Sequence, residues 1–338
     1  MSTIDDQDGA PGTDDGRWLV YRGSGGPHDG IDGLTGPPSW RDFSLTPEQR
    51  MTDLASRYRP GDDEIEMVNA ALYVRRPLLV TGPPGTGKST LAASISYELG
   101  LGRVLRWPIS SRSTLADGLY HYDAIGRLHE VNMRRGGLDQ ETGPDPEDIG
   151  QFIRLGPLGT ALLPAERPRV LLIDEIDKGD VDLPNDLLNV FEEGEFTIPE
   201  LQRLASDRPV DVLPYDSQTR VAVRRGRVRC TVFPVIVMTS NKERDFPPAF
   251  LRRCLQLEIK KPSVGQLREI VLAHLGSLDS EGEVRVQQFW DSWDRGETHA
   301  TDQLLNALAL LSGPTGTPGQ QRRAAADRIT HPLDESAS

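Results

Sequence analysis

The chain has 338 residues, 37% of them hydrophobic, with abundant glycine (33) and proline (26). That is room for one large domain with tails or two of ordinary size, diluted by loops. Asp and Glu (51) outnumber Lys and Arg (38), a formal charge of −13 that opposes non-specific binding to nucleic acid or anionic membrane. Two cysteines, Cys230 and Cys254, offer neither a disulfide framework nor a zinc spacing and are expected to be reduced thiols. No apolar run approaches the ~20 residues of a membrane span. The acidic start MSTIDDQDGAPG lacks the basic and apolar parts of a signal peptide, so a cytoplasmic protein is expected.

Residues 1–44, rich in Gly, Pro and Asp around an island RWLVYRG, read as a disordered arm. Thr46-Pro47-Glu48-Gln49 starts a helix with Pro at its first position. Asp62 and Asp63 cap a second helix with an apolar stripe of Ile65, Val68 and Leu72. Leu78–Thr81 is a short apolar run of the kind buried in a parallel sheet, and Val104–Trp107, Val170–Ile173, Val235–Met238 and Leu255–Ile259 repeat it. Helical patterns alternate with these runs, as at 89–99 with Leu91, Ile95 and Leu99. The expected fold is α/β, a parallel sheet with helices on both faces. Residues 132–150 break the pattern as an exposed insertion, and Val221–Val223 with Arg227–Arg229 predict a hairpin around Arg224-Arg225-Gly226. After Pro262 the pattern is helical, at 264–275, 284–293 and 301–312, and residues 313–338 read as a flexible tail.

The strongest chemical signal is Gly82-Pro83-Pro84-Gly85-Thr86-Gly87-Lys88-Ser89, with Thr90 next, set between a strand and an amphipathic helix. Glycines let backbone N–H groups turn around a triphosphate at a helix N-terminus. Lys88 supplies a point charge for the β- and γ-phosphates, and the Ser89 hydroxyl a ligand for Mg²⁺. Asp174 and Glu175 end an apolar strand, where one carboxylate can hold Mg²⁺ and the other polarise water for attack. Asn241 follows another strand and can orient that water or sense the γ-phosphate. Arg252 and Arg253 stand just before the last strand, and Arg suits charge that develops on a transferring phosphoryl group. His121 and His129 have no recognised metal-ligand spacing.

This order of parts resembles an AAA+ ATPase. Gly156-Pro157-Leu158 and the run Leu187–Ile198 (LLNVFEEGEFTI) are similar to the MoxR subgroup. The resemblance covers about 60–275 well and 262–312 loosely. It implies an ATPase domain over 45–261, a helix-2 insertion within 109–165, a hairpin within 195–234 and a helical lid over 262–312. It implies ATP and Mg²⁺ as ligands. The phosphate loop Gly82–Ser89 would be Walker A, Asp174 and Glu175 Walker B, Asn241 sensor 1, and Arg252 or Arg253 an arginine finger acting on a neighbouring subunit. Ring assembly, usually a hexamer, and a protein client such as a von Willebrand factor A (vWA) domain protein are further expectations. The sequence departs from the pattern in one place. No Arg or Lys stands within Thr298–Leu305, where a sensor-2 residue belongs, and Arg295 lies just upstream.

Two other functions fit parts of the sequence. A nucleic-acid motor on the same fold would use Arg220, Arg224, Arg225, Arg227 and Arg229. A small-molecule kinase would use the phosphate loop but leaves Glu175 and the paired arginines without work.

Overall fold

The computed structural model describes residues 18–136, 146–204, 207–297, 299–312 and 319–331. Parts of the reading above fall outside them: residues 1–17, 137–145 of the insertion, Thr298, 313–318 and 332–338. The chain divides into two compact units, Leu54–Pro83 with Gly87–Lys261, and Met1–Asp53 with Pro84–Thr86 and Pro262–Ser338.

The first unit is built on five parallel strands, β1 (Leu78–Thr81), β2 (Leu105–Pro108), β3 (Val170–Asp174), β4 (Val235–Ser240) and β5 (Leu255–Glu258), in the order β5-β1-β4-β3-β2. Parallel strands need crossovers, and helices supply them on both faces. Alternation along each strand sorts the apolar side chains into two cores. Leu78, Val80, Val170, Leu172, Val237 and Leu257 share one core with Leu91, Ala92 and Ile95 of helix α2 (Lys88–Glu98) and with Ala71 of helix α1 (Asp62–Val74). Leu79, Leu171, Ile173, Ile236 and Met238 point the other way. There they meet Leu158, Leu162 and, from helix α3 (Leu183–Glu193), Leu187 and Val190. This parity decides which side chains face the phosphate loop.

Among the described residues, three two-stranded antiparallel sheets flank the main one. Tyr120–Tyr122 pairs with Ile153–Leu155, Glu195–Thr197 with Arg227–Arg229, and Val210–Val212 with Val221–Val223. The expected hairpin is therefore corrected. Val221–Val223 and Arg227–Arg229 do follow one another through a tight turn, closed by an Arg224–Arg227 bridge, but each pairs with a different partner strand. Arg225 (φ 52°) and Gly226 (φ 68°) both take the left-handed region there. A Cβ on Gly226 would lie 2.4 Å from the Ile198 carbonyl, whose own N–H donates to the Gly226 oxygen. The turn is pinned to Ile198, so its two arms belong to separate ladders.

The second unit is helical: α4 (Val264–Leu275), α5 (Ser280–Asp294), α6 (Thr301–Leu311) and α7 (Gln320–Ile329). Leu267, Val271, Val286, Phe289, Trp293, Leu304 and Leu308 form its core. Two further features differ from the sequence reading. Within 18–44, short 3₁₀ turns form at Asp29–Gly33 and Ser39–Arg41, and Trp40 donates from its indole to Asn306 at 3.0 Å. One half-buried aromatic is enough to tie down a segment whose composition suggests a free arm. Gln320–Ile329, read as tail, is a helix that buries Ala326 and Arg322, the latter donating to the Leu310 carbonyl. Helix α1 is capped by Gly61, with Asp62 and Asp63 inside its first turn, where their charge favours the N-terminus without a side-chain cap. Both cysteines are free, and burial pushes the Cys254 thiol up to about 12. No helix among the described residues is long and apolar enough to cross a membrane.

Candidate functional site

The loop between β1 and α2 opens on Gly82 (φ 147°), where a Cβ would lie 2.4 Å from the Ile259 carbonyl of the neighbouring chain segment. Only glycine fits that approach. Gly87 (φ 86°) caps α2 in the left-handed region, and the ring of Tyr58 packs against it. The Gly87 carbonyl accepts the N–H groups of Thr90 (2.9 Å) and Leu91 (3.1 Å), which starts the helix directly behind the loop. Lys88 is buried, and its Nζ donates to the carbonyls of Gly82 and Pro83, each at 2.8 Å. Burial pulls the Lys88 ammonium below its ordinary range, while the carboxylates of Asp177, Asp174 and Glu175 pull it back up. Tyr58 donates from its hydroxyl to Glu64 at 2.6 Å, and burial raises the Glu64 carboxyl.

Asp174 follows Val170 and Leu172 on the α2 face of β3, and parity on β4 puts Thr239 on that face too. The contacts agree. Asp174 Oδ1 accepts from the Ser89 hydroxyl at 2.6 Å and from the Thr239 hydroxyl at 2.7 Å. Its Oδ2 is paired with Arg106 of β2 at 3.1 Å. Glu175 turns out of the strand in the left-handed region (φ 59°), a conformation that costs a non-glycine residue about 1 kcal/mol or more. Its N–H donates to Thr239 Oγ1 at 2.9 Å, and its carboxylate pairs with Lys178 at 3.0 Å. A serine hydroxyl beside a carboxylate, both oxygen donors, suits a hard cation such as Mg²⁺. The residues present therefore fit the ion that the sequence implies.

Strand β4 lies between β1 and β3, so Asn241, which follows it, emerges between the phosphate loop and Asp174. Its position depends on Asp177, two residues beyond Glu175 in the turn after β3. Asp177 is 3% exposed, and its Oδ2 accepts the backbone N–H groups of Asn241 (2.9 Å) and Glu243 (3.1 Å). One carboxylate oxygen thus ties the Asn241 loop to the turn that carries Glu175. Asp177→Ala should cost about 1.5–3 kcal/mol of stability, the worth of buried hydrogen bonds to a charged group, with Asp177→Asn costing less. Urea unfolding followed by circular dichroism measures the difference.

Arg252 and Arg253 are at the other end of the sheet. They precede β5, which runs parallel to β1 with Leu255 opposite Leu78 and Glu258 opposite Thr81. The phosphate loop leaves the far end of β1, so neither arginine joins the cluster around Lys88 and Asp174. Arg253 pairs with Glu192 of α3 at 2.7 Å and donates to the Ala249 carbonyl at 3.2 Å. Arg252 is exposed, its backbone carbonyl accepts from Arg76, and among the described residues its guanidinium has no ion-pair partner. In the helical unit Arg295 is held by Glu297 at 3.0 Å.

Four residues enter the site that the motifs did not single out as functional: Arg106, Asp177, Lys178 and Thr239. Strand parity was the available signal for Arg106 and Thr239. Asp177 had none, because its partners lie more than sixty residues away in sequence.

The model for the AAA domain of the dynein-related subfamily (AAA_5) matches residues 77–254, from the start of β1 to the threshold of β5. No curated protein matches the chain. The matched stretch is more than half of the chain and contains the phosphate loop, Asp174, Glu175, Asn241 and both arginines. The chain therefore belongs to the AAA domain family, dynein-related subfamily, whose members bind and hydrolyse nucleotide on a P-loop α/β domain.

Proposed function

We propose that this chain is a MoxR-like AAA+ ATPase that assembles into a hexameric ring and remodels a protein client such as a vWA-domain protein. The observation that carries the reading is the split of the chemistry across the sheet. Lys88, Ser89, Asp174, Glu175 and Asn241 gather at the ends of the strands that the phosphate loop leaves, while Arg252 and Arg253 stand at the opposite ends. A phosphoryl-stabilising arginine so placed acts on the nucleotide of another copy.

In this reading the loop 82–90 wraps the triphosphate with backbone N–H groups, and Lys88 exchanges its loop carbonyls for phosphate oxygens. Ser89 and Asp174 would hold Mg²⁺, which would supply positive charge against the phosphates. Glu175 takes the proton of the attacking water, and Asn241 orients that water or reads the γ-phosphate. Arg252 or Arg253 of the adjoining copy meets the charge that develops on the transferred group.

The basic turn speaks against the nucleic-acid motor. Arg225 is bidentate to Asp207, both bonds at 2.6 Å, and Arg227 and Arg229 share Glu195 at 2.6 and 3.5 Å. These two carboxylates offset part of the positive charge of the turn, so less of it is left for a phosphate backbone.

The test is complementation between copies. The double variant Arg252→Ala/Arg253→Ala should bind ATP normally yet turn it over roughly 10³-fold more slowly, the usual worth of such an arginine. Mixed with Glu175→Gln, which has intact arginines, it should regain turnover above either variant alone. No recovery in mixtures that co-sediment would refute the shared site. Adding DNA or RNA to wild type tests the motor reading, and retention of protein client by the ATP-loaded Glu175→Gln form tests remodelling.

A further inference from the structure

The carboxylate proposed to hold Mg²⁺ already has a cation. Arg106 lies on β2, the edge strand beside β3, where it is in register with Leu172. Strand parity turns it to the same face as Asp174, and its Nη2 reaches Asp174 Oδ2 at 3.1 Å. The other oxygen is committed: Oδ1 accepts both the Ser89 and the Thr239 hydroxyls. Oδ2 is therefore the atom of Asp174 open to an incoming cation, and a guanidinium is on it. The two partners differ in exposure, 50% for the Arg106 side chain against 15% for Asp174. A half-exposed arginine can swing into water at small cost, whereas the carboxylate has nowhere to go.

The geometry assigns to Arg106 the role of a resident counter-cation that Mg²⁺ must displace from Asp174. It is a positioning residue that sets the ion concentration at which the nucleotide site fills. While it sits on Oδ2, Arg106 offsets the charge of a poorly hydrated carboxylate. When it yields, the same oxygen becomes available to the metal. The assignment rests on the reading of Asp174 as a metal ligand given above.

The experiment uses the full chain and a nucleotide that is not turned over. Fluorescence of bound N-methylanthraniloyl-ADP is followed while Mg²⁺ is titrated in from EDTA, for wild type, Arg106→Gln and Arg106→Lys. Neutral Gln removes the competitor, so the Mg²⁺ midpoint should fall about two- to fivefold, as expected for the loss of one partly exposed ion pair. Lys keeps the charge and should leave the midpoint near that of wild type. Position 106 is half-exposed on an edge strand, so both variants should fold, and thermal unfolding in EDTA verifies it. A midpoint in Arg106→Gln that is unchanged or higher overturns the assignment, as does an equal fall in both variants. A wild-type signal indifferent to Mg²⁺ instead overturns the underlying reading of Asp174.

Discussion

Glu175→Gln should bind ATP as tightly as the wild type and hydrolyse it about 10²–10⁴-fold more slowly, the range for loss of a positioned general base. The substitution is nearly isosteric. It leaves the Glu175 N–H on Thr239 and leaves Asp174 with its contacts to Ser89 and Thr239. What it removes is the negative oxygen that can accept a proton from water. The backbone at 175 stays in the left-handed region, so the new amide should point where the carboxylate did. Two measurements check this, equilibrium binding of a fluorescent ATP analogue and steady-state phosphate release. Equal phosphate release from variant and wild type would take Glu175 out of the mechanism.

Lys88→Ala should abolish measurable nucleotide binding at concentrations that saturate the wild type, a loss of roughly two orders of magnitude in affinity for one charge-assisted phosphate contact. The ammonium is buried and bonded to two loop carbonyls, so it is already desolvated and aimed before any phosphate arrives. Pre-organisation of that kind makes the contact stronger than a surface lysine would give. Alanine also leaves the Gly82 and Pro83 carbonyls without the ammonium from which they accept. Titration with the same analogue decides the matter, with circular dichroism to verify that the variant is folded. Binding at wild-type strength would mean that the loop does not cradle phosphate.

Much of this architecture is written locally. Short apolar runs marked the three central strands β1, β3 and β4, because a strand buried on both faces needs no alternation, while the edge strands β2 and β5 alternate buried and exposed residues. The phosphate loop was legible because glycine at 82 answers a steric demand, the Ile259 carbonyl, that no other residue meets. Pairing between distant segments was less legible. The run from Val221 to Arg229 looks like an isolated hairpin, yet Ile198 and Asp207, whose contacts fix its turn and its charge, are remote in sequence. The same limit hid Asp177, whose hydrogen bonds to Asn241 and Glu243 exist only after β4 has come to lie beside β3. Composition misled at 18–44 and 320–329. Trp40 tethers the first to α6, and the second is a polar helix that buries only a narrow stripe.

The border position of β2 has one more consequence. Its outward-patterned residues are Arg106 and Pro108, one charged and one without an N–H group to lend. A foreign strand trying to extend the sheet there would find an interrupted row of donors beside a charged side chain, features that protect native sheets from edge-to-edge pairing. Close crowding on this flank is thus tolerable.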